Sequence, residues 1–277
     1  MIKTSENTDL KIGFIGCGNM ASAIVRGLVS NGTPPEKIMA SNRSLEKLQE
    51  IERETGIGTT NNNKLCAVFA DILILSVKPQ VLSEVCINLR GADLSNKIVV
   101  SIAAGITTTK ILESLNQDLP IIRAMPNTPA LISEGATGLY ANRFCSAEQK
   151  RQVQSIFDSV GYTSWVEKES LIDVVTAIAG SAPAYIYMLM EAMTEQAVND
   201  GLDYNSARRL VTQAVIGSGK LAQQNEQTDL LKLRQNVTSP GGTTAAAISS
   251  FERDGFTNIV KQAVSAAIKR GEELGDN

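Results

Sequence analysis

Short apolar runs alternate with amphipathic stretches through the first half of this 277-residue chain. The runs at 11–15 (KIGFI), 37–41 (KIMAS), 71–77 (DILILSV), 97–103 (KIVVSIA) and 120–125 (PIIRAM) are strand-sized. Runs this continuously apolar belong to strands covered on both faces, as in a parallel sheet. Helical stretches separate them. ASAIVRGLVSNG ends at Gly32, and the polar-faced SLEKLQEIERETG is closed by Gly56. GATGLYA and YTSWVEK read as later, shorter strands flanking a helix over SAEQKRQVQSIFDSVG. From about Leu171 the pattern changes to Ala- and Met-rich helical periodicity, with little that reads as strand. The expectation is a doubly wound α/β domain over 1–167 and an all-α domain over 168–277.

Composition narrows the function. The net charge of −3 argues against a general nucleic-acid or anionic-membrane binder. The polar start MIKTSENTDL is not expected to be a secretory signal, and runs such as DILILSV are too short to span a bilayer. Four scattered cysteines without a CxxC read as reduced thiols of a cytoplasmic protein. The chain has no histidine, which removes His-based triads, His-liganded zinc and a histidine general acid. No metal site is expected, and a cofactor is the natural carrier of the chemistry.

One motif supplies that cofactor. Gly16-Cys17-Gly18-Asn19-Met20-Ala21 follows the first strand and opens a helix, giving G-x-G-x-x-A. The first glycine permits the tight turn, and the second lets backbone approach a pyrophosphate. The small third residue lets helix and strand pack closely. The helix N-terminus then offers free N–H groups and a positive dipole end. The second strand runs into Asn42, Arg43 and Ser44, with no carboxylate for a ribose 2′-hydroxyl. A guanidinium there suits a 2′-phosphate, so NADPH is expected over NADH, with NADH possible.

The loops ending later strands should border the dinucleotide. They contain Val77, Lys78 and Pro79, then Ala103 and Gly105. The stiff Pro-bracketed loop RAMPNTP carries Asn127 and Thr128, either as contacts or as an ordinary rigid turn. Near the other end, TSPGGTTAA places Ser239, Pro240, Gly241, Gly242, Thr243 and Thr244 before an alanine-rich helix. Without a preceding strand it is no second nucleotide loop. Taken alone it is either an anion cradle or a helix capped by Ser239 and the threonines.

FIGCGNMA, SVKP, SIAAGI, RAMPNTP, AGSAPAY and SPGGTTAAAI…FE, in this order, resemble Δ1-pyrroline-5-carboxylate reductases along nearly the whole chain. The set ending in NVTSPGGTTAAAISSFERDG is close to a family signature. The resemblance implies a Rossmann domain followed by an all-α dimerisation domain. It implies reduction of 1-pyrroline-5-carboxylate to L-proline with NAD(P)H, the last step of proline biosynthesis. It also implies a homodimer interlocked through the helical domain, and in some members a decamer. By position, Gly16, Gly18, Asn19, Met20, Asn42, Arg43, Val77, Lys78, Pro79, Ala103, Gly105, Asn127 and Asn236 fall on the cofactor side. Glu169, Ser239, Gly241, Gly242, Thr243 and Thr244 fall on the substrate side. AGSAPAY departs from the family's Ser-Gly-Ser-Gly-Pro only by exchanging small residues.

An imine that arrives protonated needs positioning, a dry site and a group near nitrogen more than a strong acid. Thr244 is expected to orient that nitrogen, because an unperturbed hydroxyl is a poor acid. Backbone N–H groups behind Gly241 and Gly242 would take the carboxylate. Met188, Met190, Met193 and Tyr185 read as packing or dimer interface rather than a cofactor box. A β-hydroxyacid or other imine reductase would use a helical lysine as acid, and AGSAPAYIYMLM has none. A regulator that had lost catalysis would be expected to degrade the 239–244 turn, which is intact.

Overall fold

A computed structural model describes residues 10–276; most of the polar N-terminal stretch judged for a secretory signal lies outside them. The chain forms two compact units. One comprises residues up to Pro183 together with those from Ala267, and the other is Ala184–Ala266.

In the first unit the strands are β1 (Ile12–Ile15), β2 (Ile38–Ser41), β3 (Gly58–Thr60), β4 (Ile72–Leu75), β5 (Ile98–Ser101), β6 (Ile121–Met125), β7 (Gly135–Ala141) and β8 (Gly161–Trp165). The helices between them are α1 (Asn19–Ser30), α2 (Leu45–Thr55), α3 (Asn63–Phe69), α4 (Pro79–Asn88), α5 (Thr108–Leu115) and α6 (Ala147–Asp158). A short α7 (Leu171–Val175) follows. All eight strands make one sheet in the order β3-β2-β1-β4-β5-β6-β7-β8. The order reverses between β1 and β4, where α/β sheets open a ligand crevice.

The continuous apolar runs have the expected cause. Ile12 and Phe14 of β1 enter one buried cluster while Ile15 enters the other. Ile72 and Ile74 alternate with Leu73 and Leu75 in the same way. A period of two feeding two cores is what a sheet covered on both faces requires. Helix ends follow local chemistry too. Ser44 and Asn62 cap α2 and α3, Ser146 and Gln149 form a capping box on α6, and Gly56 closes α2 at φ +74°.

Two features depart from the run pattern. β7 pairs antiparallel with β6, whereas the other pairings are parallel. The β6–β7 link holds only a turn over Thr128–Ile132, too short for the crossover that a parallel return demands. β7, at seven residues, is also the longest strand rather than a shorter one. The edge strand β3 (GTT) has no apolar run to announce it, because none of its residues is buried.

The second unit holds α8 (Ala182–Asn199, starting just before it), α9 (Tyr204–Gln224), α10 (Leu230–Asn236) and α11 (Thr243–Arg253). It also holds the start of α12 (Phe256–Asp276), whose last turns belong to the first unit. Among its described residues only Thr194, Ala207 and Val211 are buried, while Tyr187, Met188, Leu189 and Ile259 are exposed. Leu171–Asn199 is a 29-residue helical stretch, apolar enough by length and composition to cross a membrane. The run DILILSV is strand-sized, as β4, whereas here Ala and Met spread low polarity over a longer helical segment. Only 11% of its 18-residue apolar window is buried, so that apolar surface needs a cover.

Candidate functional site

The crevice is built by three strand ends. Past β1, Gly16 adopts φ +96°, and a Cβ there would lie 2.6 Å from the Ser76 carbonyl oxygen beyond β4. The turn is fastened on both sides. Gly16 N–H donates to Ser41 O at 2.8 Å, and Ser76 Oγ–H donates to Gly16 O at 2.7 Å. Gly18 then caps α1 with no side-chain hydrogen bond, and a Cβ on it would meet nothing within 4 Å. The first N–H groups of α1, from Asn19 and Met20 on, therefore carry no cap and lack intrahelical partners. Ala21, the small third position, is buried against the sheet side. A cleft of about 430 Å³ adjoins them, lined among others by Gly16, Gly18, Asn42, Arg43, Ser76, Val77 and Lys78. Open space over Gly18, an uncapped twelve-residue helix and exposed cations fit a dinucleotide pyrophosphate.

Other expected cofactor residues are engaged with the chain itself. Asn42 Oδ1 accepts from Arg43 N–H at 2.9 Å, and its amide reaches Cys17 O at 3.5 Å. Pro79 opens α4, with Lys78 at the cap position. Ala103 is buried. Gly105, at φ +75°, packs against the end of α12, where a Cβ would meet Leu274 Cβ at 2.9 Å. Lys110 Nζ donates to the Gly275 carbonyl beside it. Asn127 donates to Ala179 O at 3.1 Å and accepts from Ala136 N–H at 2.8 Å, tying its loop to β7. The cleft wall does not include Ala103, Gly105 or Asn127.

Glu169 sits in a buried ionic network that the sequence pattern does not announce. Arg123, on β6 and 3% exposed, reaches Glu169 Oε1 at 3.2 Å, with Asp173 Oδ1 3.9 Å from its Nη2. Glu169 also accepts from Thr108 N–H at 2.6 Å and Thr108 Oγ–H at 2.8 Å, at the start of α5. Both its oxygens are thus engaged. Arg123 Nε and Nη2 are buried without a hydrogen-bond partner among the described residues. Burial raises the pKa of Asp173, the Arg123 guanidinium opposes that, and the nearby Glu272 and Glu169 carboxylates add to it. The signal that was available is an arginine inside an otherwise apolar strand run, which must find carboxylates when buried.

The 239–244 turn belongs to the second unit. Gly241 takes φ +72°, and Gly242 N–H donates to Ser239 O at 3.1 Å. Gly242 is the cap position of α11, with no side-chain cap, so neither Ser239 nor the threonines cap this helix. Its first N–H groups are left for an anion. Asn236, the last residue of α10, is exposed, as is Thr243, and Thr244 is half-buried. The four cysteines are free thiols, and burial pushes Cys66 and Cys86 up to about 12 and Cys145 to about 11. They remain protonated near neutrality and are poor nucleophiles.

The chain is similar to known proteins along nearly its whole length. The family model described as pyrroline-5-carboxylate reductase dimerisation matches residues 169–274. A second, described as NADP oxidoreductase, coenzyme F420-dependent, matches residues 11–105. A pyrroline-5-carboxylate reductase of Vibrio alginolyticus is 44% identical over 95% of this chain and 97% of its own length. A structure of the reductase from Coxiella burnetii superposes with TM-score 0.91 at 42% identity, covering 97% of this chain and 99% of that one. The Plasmodium falciparum enzyme, solved with NADP bound, gives TM-score 0.86 at 31% identity, with 97% and 99% covered.

The ionic network yields a pH test. Because the folded protein raises the Asp173 pKa, this carboxyl contributes stability while protonated and loses it as pH rises through the folded value. Asp173→Asn mimics the protonated group. Its stability relative to the parent chain should therefore improve as pH rises from below the ordinary aspartate value of 3.8 toward neutrality. Denaturant midpoints across that range check this; a difference independent of pH would contradict it.

Proposed function

We infer the activity from kinship and site together: the chain belongs to the pyrroline-5-carboxylate reductase family and reduces 1-pyrroline-5-carboxylate to L-proline with NAD(P)H. The observation that carries this is kinship over 95% of the chain, spanning both the glycine turn after β1 and the 239–244 turn. The reading itself is tested by oxidation of NADPH and NADH by purified protein, each with and without pyrroline-5-carboxylate. Absence of substrate-dependent turnover with either would overturn it.

The residue roles follow from the local chemistry. Bound reduced nicotinamide supplies the hydride. Gly16 makes the tight turn, Gly18 leaves room for its pyrophosphate, and the free N–H groups from Asn19 and Met20 hold the charge. Asn42 and Arg43 take the adenosine end, while Val77 and Lys78 wall the cleft and Pro79 starts α4 after them. Ala103, Gly105 and Asn127 shape the loops behind that wall, and Asn236 also acts on the cofactor side. For the substrate, Ser239, Gly241 and Thr243 offer backbone N–H groups and hydroxyls to the carboxylate, while Gly242, whose own N–H is spent on Ser239 O, sets the turn and leaves the helix uncapped. Thr244 Oγ accepts from the iminium N–H and fixes the ring for hydride delivery to C5. Glu169 is a positioning residue, holding Arg123 and the start of α5. No histidine is needed, since the imine arrives protonated and the remaining task is orientation.

The segment that matches the dimerisation family, residues 169–274, also makes the protein self-associate. Its match to a dimerisation domain supports a second copy as the cover for the exposed faces of α8 and α12. We propose an interlocked homodimer in the cytoplasm, with decamers as a further stage of assembly.

Thr244→Val is expected to lower kcat/KM by about 5- to 30-fold, the loss of about 1–2 kcal/mol of hydrogen bonding, while NADPH affinity stays close to that of the parent. Thr244→Ser should restore most of the rate. An unchanged rate in the valine variant would remove Thr244 from the mechanism. Met188 is 74% exposed within the single chain, so Met188→Glu should drive sedimentation from a multiple of the 29.6 kDa chain mass toward that of one chain. Unaltered assembly would place the interface elsewhere.

A further inference from the structure

We propose that Lys47 is a specificity residue for the reduced cofactor, acting with Arg43 as a two-cation clamp on the phosphate that distinguishes NADPH from NADH. The inference rests on the reading of the cleft as a dinucleotide site and adds a residue to it. The two cofactors differ by one phosphate monoester on the adenosine ribose, which carries nearly two negative charges at neutral pH. In a doubly wound sheet that ribose lies at the carboxyl end of the second strand. Here that end is Ser41, followed by Asn42, Arg43 and Ser44.

Of these residues, Asn42 is tied to backbone at Arg43 N and Cys17 O. The Ser44 oxygen accepts the Lys47 N–H at 3.5 Å as the cap of α2, leaving only its hydroxyl proton to give. Arg43 would then face a dianion with one cation in an exposed cleft. Lys47, in the first turn of α2, lines the same cleft as Arg43, Asn42 and Gly18.

The surrounding charges leave Lys47 available. It is exposed and has no ion-pair or hydrogen-bond partner for its ammonium among the described residues. Glu50 stands one turn away, at a spacing that permits a pair, yet none forms. Of the remaining acids of α2, Glu54 holds Arg26 through two hydrogen bonds, Glu52 accepts from Thr59 Oγ1, and Glu46 does not line the cleft. Arg26 is thereby fixed, whereas Arg43 and Lys47 are free. The one carboxylate lining the cleft, Glu84, comes from α4 rather than from the β2 end. An NAD-selective site would place an acid where this chain places two uncommitted cations.

The test measures binding, not turnover. Full-length protein and its Lys47→Gln and Lys47→Arg variants are titrated calorimetrically with NADPH, NADH, 2′,5′-ADP and 5′-AMP. The ratio of NADPH to NADH affinity should fall about tenfold in Lys47→Gln, as for loss of one charge-assisted contact to an exposed phosphate. The 2′,5′-ADP to 5′-AMP ratio should fall with it, NADPH binding should become less sensitive to salt, and Lys47→Arg should retain the preference. An equal loss for both dinucleotides would assign Lys47 to a shared phosphate and overturn the proposal, as would unchanged affinities. Failure of the parent protein to bind either dinucleotide would instead overturn the cofactor reading, and the Lys47 assignment with it.

Discussion

The cofactor crevice depends on one close approach: the backbone of Gly16 against the Ser76 carbonyl, at the point where the strand order reverses. A positive φ of 96° and a gap too small for a Cβ both demand glycine. Hydrogen bonds from Gly16 N–H to the end of β2, and from Ser76 to Gly16 O, hold the turn between two strand ends. That fixes the start of α1 and leaves its first N–H groups open. The strands adjoining it are buried on both faces, so the positioning is as rigid as the core that carries it.

A common electrostatic solution recurs in the two units. Gly18 and Gly242 are both cap positions of helices longer than ten residues, and neither helix receives a side-chain cap. Ser, Asp or Asn at those positions would satisfy the helix from within and weaken its hold on an anion. Glycine keeps the N–H groups available, and the dipole supplies positive potential without a titratable residue. For a chain lacking histidine, anion recognition of this kind is independent of pH across the neutral range. The buried thiols, held protonated, add no competing chemistry.

Elsewhere the molecule places charge in its interior, and there the account is structural. Arg123 interrupts an apolar strand, and its partners Glu169 and Asp173 come from the segment entering α7. Removing the cation would leave two acidic groups beside each other in a dry setting, which is costlier than the pair is stabilising. Glu169 also accepts from Thr108 at the head of α5, so one carboxylate orders three elements. Leu274 and Gly275 of α12 pack on Gly105 in the same unit, fixing the loop after β5 from behind.

Much of this was legible in the chain alone. Continuous apolar runs specified the strands and their two-sided burial, G-x-G-x-x-A after the first run located the phosphate turn, and Gly56 marked a helix end. These are local signals, each carried by residues within one turn or strand of the feature they encode. The antiparallel β7, the edge strand β3 and the engagement of Asn127 were not legible, because each depends on what lies across the sheet. The place of Arg43 after the second strand assigned it to the adenosine end, but the sequence did not separate Lys47 from Arg26 by role. Only the tertiary structure showed Arg26 locked by Glu54 and the other two free in one cleft, because ion pairing between distant segments is decided by the distances that folding creates.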